Sequence, residues 1–97
     1  RDADLPEDTQ RWLVKLDKVQ AELRDLFAAK NATYGSSFAE HGPVGVLVRM
    51  GDKLKRLVNI ERTGVNLVDD EGVRDTLLDL ANYAAMAVVL LDRKDAP

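Results

Sequence analysis

Residues 71–92 read EGVRDTLLDLANYAAMAVVLLD, and this run sets the architecture expected of the whole chain. At about 100° per residue it predicts a helix that begins at Asp69 or Asp70, where acidic residues favour a helix N-terminus, and ends near Asp92. One stripe of this helix carries oxygen-bearing side chains, namely Glu71, Asp75, Asp79 and Asn82. The opposite stripe is aliphatic and comprises Val73, Leu77, Leu80, Ala84 and Leu91. The acidic stripe is therefore the first candidate for a functional site.

The second half of the same helix, residues 84–91, has no polar residue at all. A helix without a polar face is buried on every side. Three helices cannot easily surround such a segment, so we expect a second subunit to cover it. The predicted assembly is a homodimer or a homotetramer.

Two further helices are predicted upstream. The first runs from about Pro6 to Lys30, with an apolar stripe of Trp12, Leu16, Val19, Leu23, Leu26 and Phe27. The second runs from Pro43 to about Thr63, with Gly64 as its stop, because Pro suits a first helical position and Gly follows a helix end. Its apolar face comprises Leu47, Met50, Leu54, Leu57 and Val58, and its polar face comprises Arg49, Asp52, Arg56 and Asn59. Residues 31–42, rich in Gly, Ser and Asn, are predicted to form a loop.

These patterns predict an all-α fold with three main helices in an antiparallel bundle, forming a single domain over residues 1–97. A net charge of -3 argues against nucleic-acid binding. The absence of cysteine excludes thiolate metal sites and cysteine nucleophiles. No apolar run reaches membrane-spanning length and no signal peptide is present, so a cytoplasmic protein without membrane contact is expected.

The short connection between the second and third helices brings a second group of charges to the acidic stripe. Antiparallel pairing outward from this connection places residue 58 near residue 75, and residue 54 near residue 79. Cations and polar side chains of the two helices then lie at about the same height along the bundle. They are Asp52, Lys53 and Arg56 on the second helix and Asp75, Asp79 and Asn82 on the third. Carboxylates can hold Mg²⁺, or alternatively Mn²⁺, while Lys and Arg bind a polyphosphate and an activated water attacks phosphorus.

A salt-bridge network that only sets the helix register is the alternative interpretation of these charges. The acidic stripe continues into Met86 and Val89, however, so the same face becomes apolar within a turn. A fully solvated face does not usually do this. A semi-buried acidic cluster is costly unless it is paired or binds a metal.

Three blocks of sequence together resemble a known family: KNATYG at 30–35, GVLVRMGDKLKRL at 45–57 and DTLLDLANY at 75–83. They are similar to the nucleotide-modification-associated domain family, small all-helical proteins of phages and bacteria that look like distant relatives of the MazG-like all-α nucleoside triphosphate pyrophosphohydrolases. The resemblance covers about residues 28–91. It implies a helical bundle, usually oligomeric, that binds a nucleotide with Mg²⁺.

The resemblance also implies roles for particular residues. In MazG-like enzymes a Glu-x-x-Glu pair on one helix and a Glu-x-x-Asp pair on the next hold the metal. Asp52 matches the last acid of the first pair, and Asp75 matches the Asp of the second pair. Arg49 and Gly72 stand at the positions of the first acid in each pair. The expected metal ligands are Asp52, Glu71, Asp75 and Asp79, of which Glu71, Asp75 and Asp79 are the catalytic candidates. The nucleotide would contact Lys30, Tyr34, Lys53, Arg56 and Asn82.

The function expected on this basis is that of a Mg²⁺-dependent nucleotide-binding protein. It would act as a (deoxy)nucleoside triphosphate pyrophosphohydrolase or as a nucleotide-modification factor. Two alternatives stay open, a nucleotide-binding module without catalysis and a purely structural helical oligomer.

Overall fold

A computed structural model describes residues 1–63 and 71–93 of the chain, and all regular structure in these residues is helical. Three long helices follow one another: α1 (Glu7–Tyr34), α2 (Gly42–Arg62) and α3 (Glu71–Asp92). Short 3-10 turns occupy Asp2–Asp4 and Ser37–Ala39. The predicted all-α class with three main helices is therefore confirmed. None of the described helices is long and apolar enough to cross a membrane.

The chain divides into two compact units, Arg1–Gly35 and Ser36–Pro97, which we describe separately. The first contains α1, and the second contains α2 and α3. The prediction of a single domain over residues 1–97 stays a prediction. The predicted α3 start at Asp69 or Asp70 and the predicted stop at Gly64 lie outside the described residues.

Helix α1 is longer than the sequence pattern predicts. The predicted loop is wrong for residues 31–34, because the helix continues through them to Tyr34. The Thr33 hydroxyl donates a hydrogen bond to the Ala29 carbonyl at 3.1 Å, and the Gly35 amide donates to the Asn31 carbonyl at 2.8 Å. The chain leaves the helix at Gly35, whose φ of 73° lies in the left-handed region that glycine adopts without strain. Lys30 and Tyr34 thus lie one helical turn apart.

The predicted apolar stripe of α1 is only partly covered. No residue of this helix is buried. Leu23, Leu26 and Phe27 in its second half are half-buried, whereas Trp12, Leu16 and Val19 in its first half are exposed. The Lys15 ammonium lies 5.2 Å from the centre of the Trp12 ring, a cation–π contact that covers one face of that ring.

Helices α2 and α3 pack against each other in antiparallel orientation. Their core is formed by Val46 from α2 with Ala87 and Leu90 from α3. Further along α2, Lys53 forms an ion pair with Asp79, so rising numbers on α2 meet falling numbers on α3. This agrees with the predicted pairing, which places residue 54 near residue 79. Helix α2 itself begins and ends within one residue of the predicted bounds.

The predicted apolar faces of both helices are only partly correct. Met50 and Leu57 on α2 and Val73 and Leu80 on α3 are buried or half-buried, as predicted. Leu47, Leu54 and Val58 of α2 are exposed, as are Leu77, Ala84 and Leu91 of α3. Other residues that are buried or half-buried include Val46, Lys53 and Ile60 on α2, and Thr76, Leu78, Tyr83, Met86, Ala87 and Leu90 on α3. The polar Thr76 side chain can be buried, at 3% exposure, because its hydroxyl donates a hydrogen bond to the Gly72 carbonyl at 2.6 Å.

Candidate functional site

A half-buried ion pair joins α2 to α3. The Lys53 ammonium lies 3.2 Å from a carboxylate oxygen of Asp79, and the two side chains are 32% and 21% exposed. Lys53 lies in the stripe of α2 that packs on α3, where its aliphatic stem can cover apolar surface while the ammonium reaches the carboxylate. One of the cation–acid contacts predicted between these helices is therefore present.

A groove lies along the second half of α2. It has a volume of about 430 Å³, is open to solvent, and is lined by Asp52, Lys55, Arg56, Asn59, Ile60 and Thr63. These residues recur at spacings of three and four, so they share one side of the helix. Lys55 and Arg56 are exposed cations, and a guanidinium can bind a phosphate through two parallel hydrogen bonds. The groove thus combines two cations with polar groups.

Two of the groove residues, Asp52 and Arg56, are among the predicted site residues. Lys55, Asn59 and Thr63 were not predicted to belong to a site. A signal for them exists in the sequence, because each lies three or four positions from Asp52, Arg56 or another member of the same stripe. The Thr63 hydroxyl already donates a hydrogen bond to the Ile60 carbonyl at 2.9 Å, which orients this side chain at the end of the helix.

The four predicted metal ligands are spread over different environments. Asp52 lines the groove of α2, Asp79 pairs with Lys53, and Asp75 is exposed one turn before Asp79. The side chain of Glu71 lies outside the described part of the structure. Within the described part, no three acidic or histidine side chains are grouped so that they could hold a metal ion.

Two of the predicted ligands lie on one side of α3. Asp75 and Asp79 are four residues apart, so their side chains share one side of the helix. The Asp79 carboxylate is paired with Lys53, and Asp75 is exposed.

The remaining predicted contacts lie on α1 and α3. Lys30 and Tyr34 are exposed in the last turns of α1, with Tyr34 at 76% exposure, and Asn82 is half-buried on α3. A residue that was not predicted stands out between the first two. The carboxamide oxygen of Asn31 is buried and accepts no hydrogen bond in the structure, although a buried acceptor normally has a partner.

The comparison with protein families agrees with the sequence blocks described above. A family model described as nucleotide modification associated domain 1 matches residues 30–91, from the last turns of α1 almost to the end of α3. No curated protein and no solved structure is significantly similar to the chain. A relationship to the MazG-like enzymes stays a prediction. Because the matched segment covers well over half of its length, this chain belongs to the nucleotide modification associated domain 1 family.

Proposed function

We propose that this protein binds a nucleoside phosphate, with the phosphates at the groove on α2. The observation that carries the proposal is the pair of adjacent cations, Lys55 and Arg56, in a groove of about 430 Å³ within the segment matched by the family. Small-molecule sites have volumes of roughly 300–1,000 Å³, so this one is large enough for a mononucleotide. Asn59 and Thr63 add an amide and a hydroxyl for hydrogen bonds to the ligand.

The last turns of α1, considered by themselves, carry two groups of a type that can bind a nucleotide. The exposed Tyr34 ring is available for stacking on a base, which is worth about 1–3 kcal/mol per stacked base. Lys30, in the same turns, adds a cation that would contact the nucleotide.

We extend the proposal to Mg²⁺, with Mn²⁺ as the alternative. Asp75 and Asp79 would hold the ion, and Glu71 and Asp52 complete the set of acids that the resemblance implies. When bound, the ion would neutralise phosphate charge and polarise the phosphorus–oxygen bonds. Lys53 would keep Asp79 oriented through their ion pair, and Asn82 would add a polar contact on α3. Hydrolysis of a (deoxy)nucleoside triphosphate to the monophosphate and pyrophosphate is the activity we propose.

Binding without hydrolysis is the second candidate function. It is favoured by Arg49 and Gly72, which stand where the MazG-like enzymes carry acids, and by the lack of a three-acid cluster among the described side chains. Calorimetric titration with deoxynucleoside triphosphates, followed by a pyrophosphate assay on each ligand that binds, separates the two functions. Heat of binding without pyrophosphate release assigns a binding module.

Replacing both groove cations is expected to weaken nucleotide binding. In the Lys55→Ala/Arg56→Ala variant we expect deoxynucleoside triphosphates to bind at least about tenfold more weakly, since a hydrogen bond to a charged group contributes about 1.5–3 kcal/mol. Calorimetry with and without Mg²⁺ provides the measurement. Arg11→Ala is the control, because Arg11 is an exposed cation near the start of α1, paired with Asp8. Unchanged affinity in the double variant would show that the phosphates do not bind in this groove.

Replacing Asn31 with Leu is expected to separate stability from binding. The substitution exchanges a buried acceptor without a partner for an apolar group of similar size, so the free energy of unfolding should stay level or rise by about 1 kcal/mol. Nucleotide affinity should stay unchanged, because the buried oxygen is not accessible to a ligand. Urea denaturation and calorimetry measure the two effects. Thr33→Val, which removes an exposed hydroxyl bonded within the helix, is the control and should keep its affinity.

A further inference from the structure

The groove on α2 differs in charge between its two ends. Lys55 and Arg56 lie in its middle, and Asp52 lies one turn before them. The lining residues that follow the two cations carry no charge and are Asn59, Ile60 and Thr63. The base is the uncharged part of a nucleotide. With the phosphates at Lys55 and Arg56, the uncharged end therefore suits the base better than the end with Asp52.

The uncharged end also lies at a suitable distance from the cations. From Lys55 and Arg56 to Thr63 the helix rises by about 11 Å, at 1.5 Å per residue. An extended nucleotide has a similar length from its 5′-phosphate to the outer edge of its base. The half-buried Ile60 adds an apolar side chain against which the flat face of a base can pack. Thr63 is therefore the groove residue that the outer edge of the base would reach.

Two hydrogen bonds fix Thr63 at the end of α2. Its amide donates to the Asn59 carbonyl at 3.1 Å, and its hydroxyl donates to the Ile60 carbonyl at 2.9 Å. A hydroxyl group has one proton and two lone pairs. Because the proton is used in the bond to Ile60, the Thr63 oxygen can only accept a further hydrogen bond. A ligand that fits this oxygen presents an N–H or O–H group to it.

The carboxamide of Asn59 does not select between donors and acceptors in this way. Its oxygen accepts hydrogen bonds and its NH₂ group donates them, so it can pair with either kind of group on a ligand. It can donate to the ring nitrogen of adenine or cytosine, and it can accept from the ring N–H of guanine, thymine or uracil. Discrimination between bases therefore depends on Thr63.

The end of the helix favours the same kind of ligand group. Helix α2 ends at Arg62, and Thr63 is its C-cap residue. The last carbonyl groups of a helix have no partner within the helix, and the helix dipole places partial negative charge at this end. Hydrogen-bond donors are stabilised there, whereas the lone pairs of an acceptor are repelled.

The common bases differ in what they present to such an acceptor. Adenine, cytosine and guanine each carry an exocyclic amino group, which protrudes from the ring with two N–H donors. Thymine and uracil have no amino group. Their one imino N–H lies between two carbonyl oxygens, so an approach to Thr63 brings at least one of these oxygens close to the acceptors at the end of α2. These two bases therefore fit the helix end least well.

We propose that the groove selects nucleotides whose base carries an exocyclic amino group against those with thymine or uracil, and that Thr63 determines this selectivity. The inference rests on the proposed function, because it requires the phosphates to lie at Lys55 and Arg56. The amino group donates to the hydroxyl oxygen of Thr63, and Asn59 pairs with the neighbouring ring atom. A carbonyl oxygen in the same position is accommodated only if Thr63 gives up its bond to Ile60.

Calorimetric titration of the full chain with dATP, dCTP, dGTP, dTTP and dUTP tests the selectivity. We expect each amino-bearing nucleotide to bind about threefold to tenfold more tightly than dTTP and dUTP, the effect of one hydrogen bond. If dTTP or dUTP binds as tightly as any of the other three, the proposed selectivity is wrong. If none of the five binds, the proposed function fails together with it. Equal binding of all five, weakened by Lys55→Ala/Arg56→Ala, overturns the selectivity alone.

Thr63→Val tests the assignment to this residue. Valine has the shape of threonine without the oxygen, so the five affinities should come within about twofold of one another. Thr63→Ser, which keeps a hydroxyl able to form the same bond, should retain the preference. Thr9→Val makes the same chemical change at an exposed position near the start of α1 and is the control. A preference that persists in Thr63→Val would show that another residue determines it. Because Thr63 is exposed at a helix end, the variant should fold, and the parent titration decides the base preference in any case.

Discussion

A Val46→Asp variant is expected to show no cooperative unfolding transition at 25 °C. Val46 is fully buried at 0% exposure and forms the α2–α3 core with Ala87 and Leu90. A carboxylate at this position would lose its hydration without gaining a partner, and such substitutions cost about 4–5 kcal/mol or more. A small domain has a total stability of about 5 kcal/mol at the low end of the usual range, so the variant should be largely unfolded.

Val48→Asp is the matched control for this prediction. It makes the same chemical change two residues further along α2, where Val48 is 62% exposed. Surface substitutions of this kind usually change stability by about 0.5 kcal/mol or less. Far-UV circular dichroism during urea denaturation measures both variants. Equal unfolding midpoints for the two would show that Val46 does not lie in the core.

The bounds of α2 were predictable from sequence because strong local signals mark its start. Pro43 suits a first helical turn, and a regular apolar period follows it. The end of α1 was not predictable in this way. Asn31 and Thr33 have weak helix propensity, so the pattern places the end of the helix too early. The Thr33 hydroxyl bonds within the helix instead of ending it, and the chain leaves the helix only at Gly35.

The packed faces of α2 and α3 could not be chosen from hydrophobicity alone. Each helix has two apolar stripes one residue apart, and the exposed stripe of α2, with Leu47 and Leu54, is the more hydrophobic in appearance. The packed stripe contains Lys53, which a search for apolar residues leaves out. Its burial depends on Asp79 from the other helix, a contact between residues distant in sequence. The antiparallel register was predictable all the same, because it depends only on the short connection between the helices.

The candidate site, like the packing of α2 on α3, was predictable only in part. The Lys53–Asp79 pair follows from the register, and Asp52 and Arg56 lie together in a groove on α2. Charge type and spacing identify which residues could bind a phosphate or a metal. They do not identify which side of a helix remains accessible, and this depends on the choice between two apolar stripes.

A charge reversal at Asp79 is the second large effect that we expect. In Asp79→Lys, two ammonium groups would replace the ion pair at a position where both side chains are mostly buried. At about 4 Å and an effective dielectric constant of 20 the repulsion is about 4 kcal/mol, which movement of the partly exposed side chains reduces. We expect the free energy of unfolding to fall by about 2 kcal/mol, with a smaller loss at high salt because ions screen the repulsion.

Asp75→Lys is the control for this reversal. It introduces the same side chain one turn earlier on α3, where Asp75 is exposed, so its effect on unfolding should stay within about 0.5 kcal/mol. The double reversal Lys53→Asp/Asp79→Lys restores an opposite-charge pair and should recover at least half of the loss. Urea denaturation of the parent protein, Lys53→Asp, Asp79→Lys and the double variant gives the coupling energy of the pair. A double variant as unstable as the sum of its single variants would mean that Lys53 and Asp79 do not stabilise the α2–α3 contact through their charges.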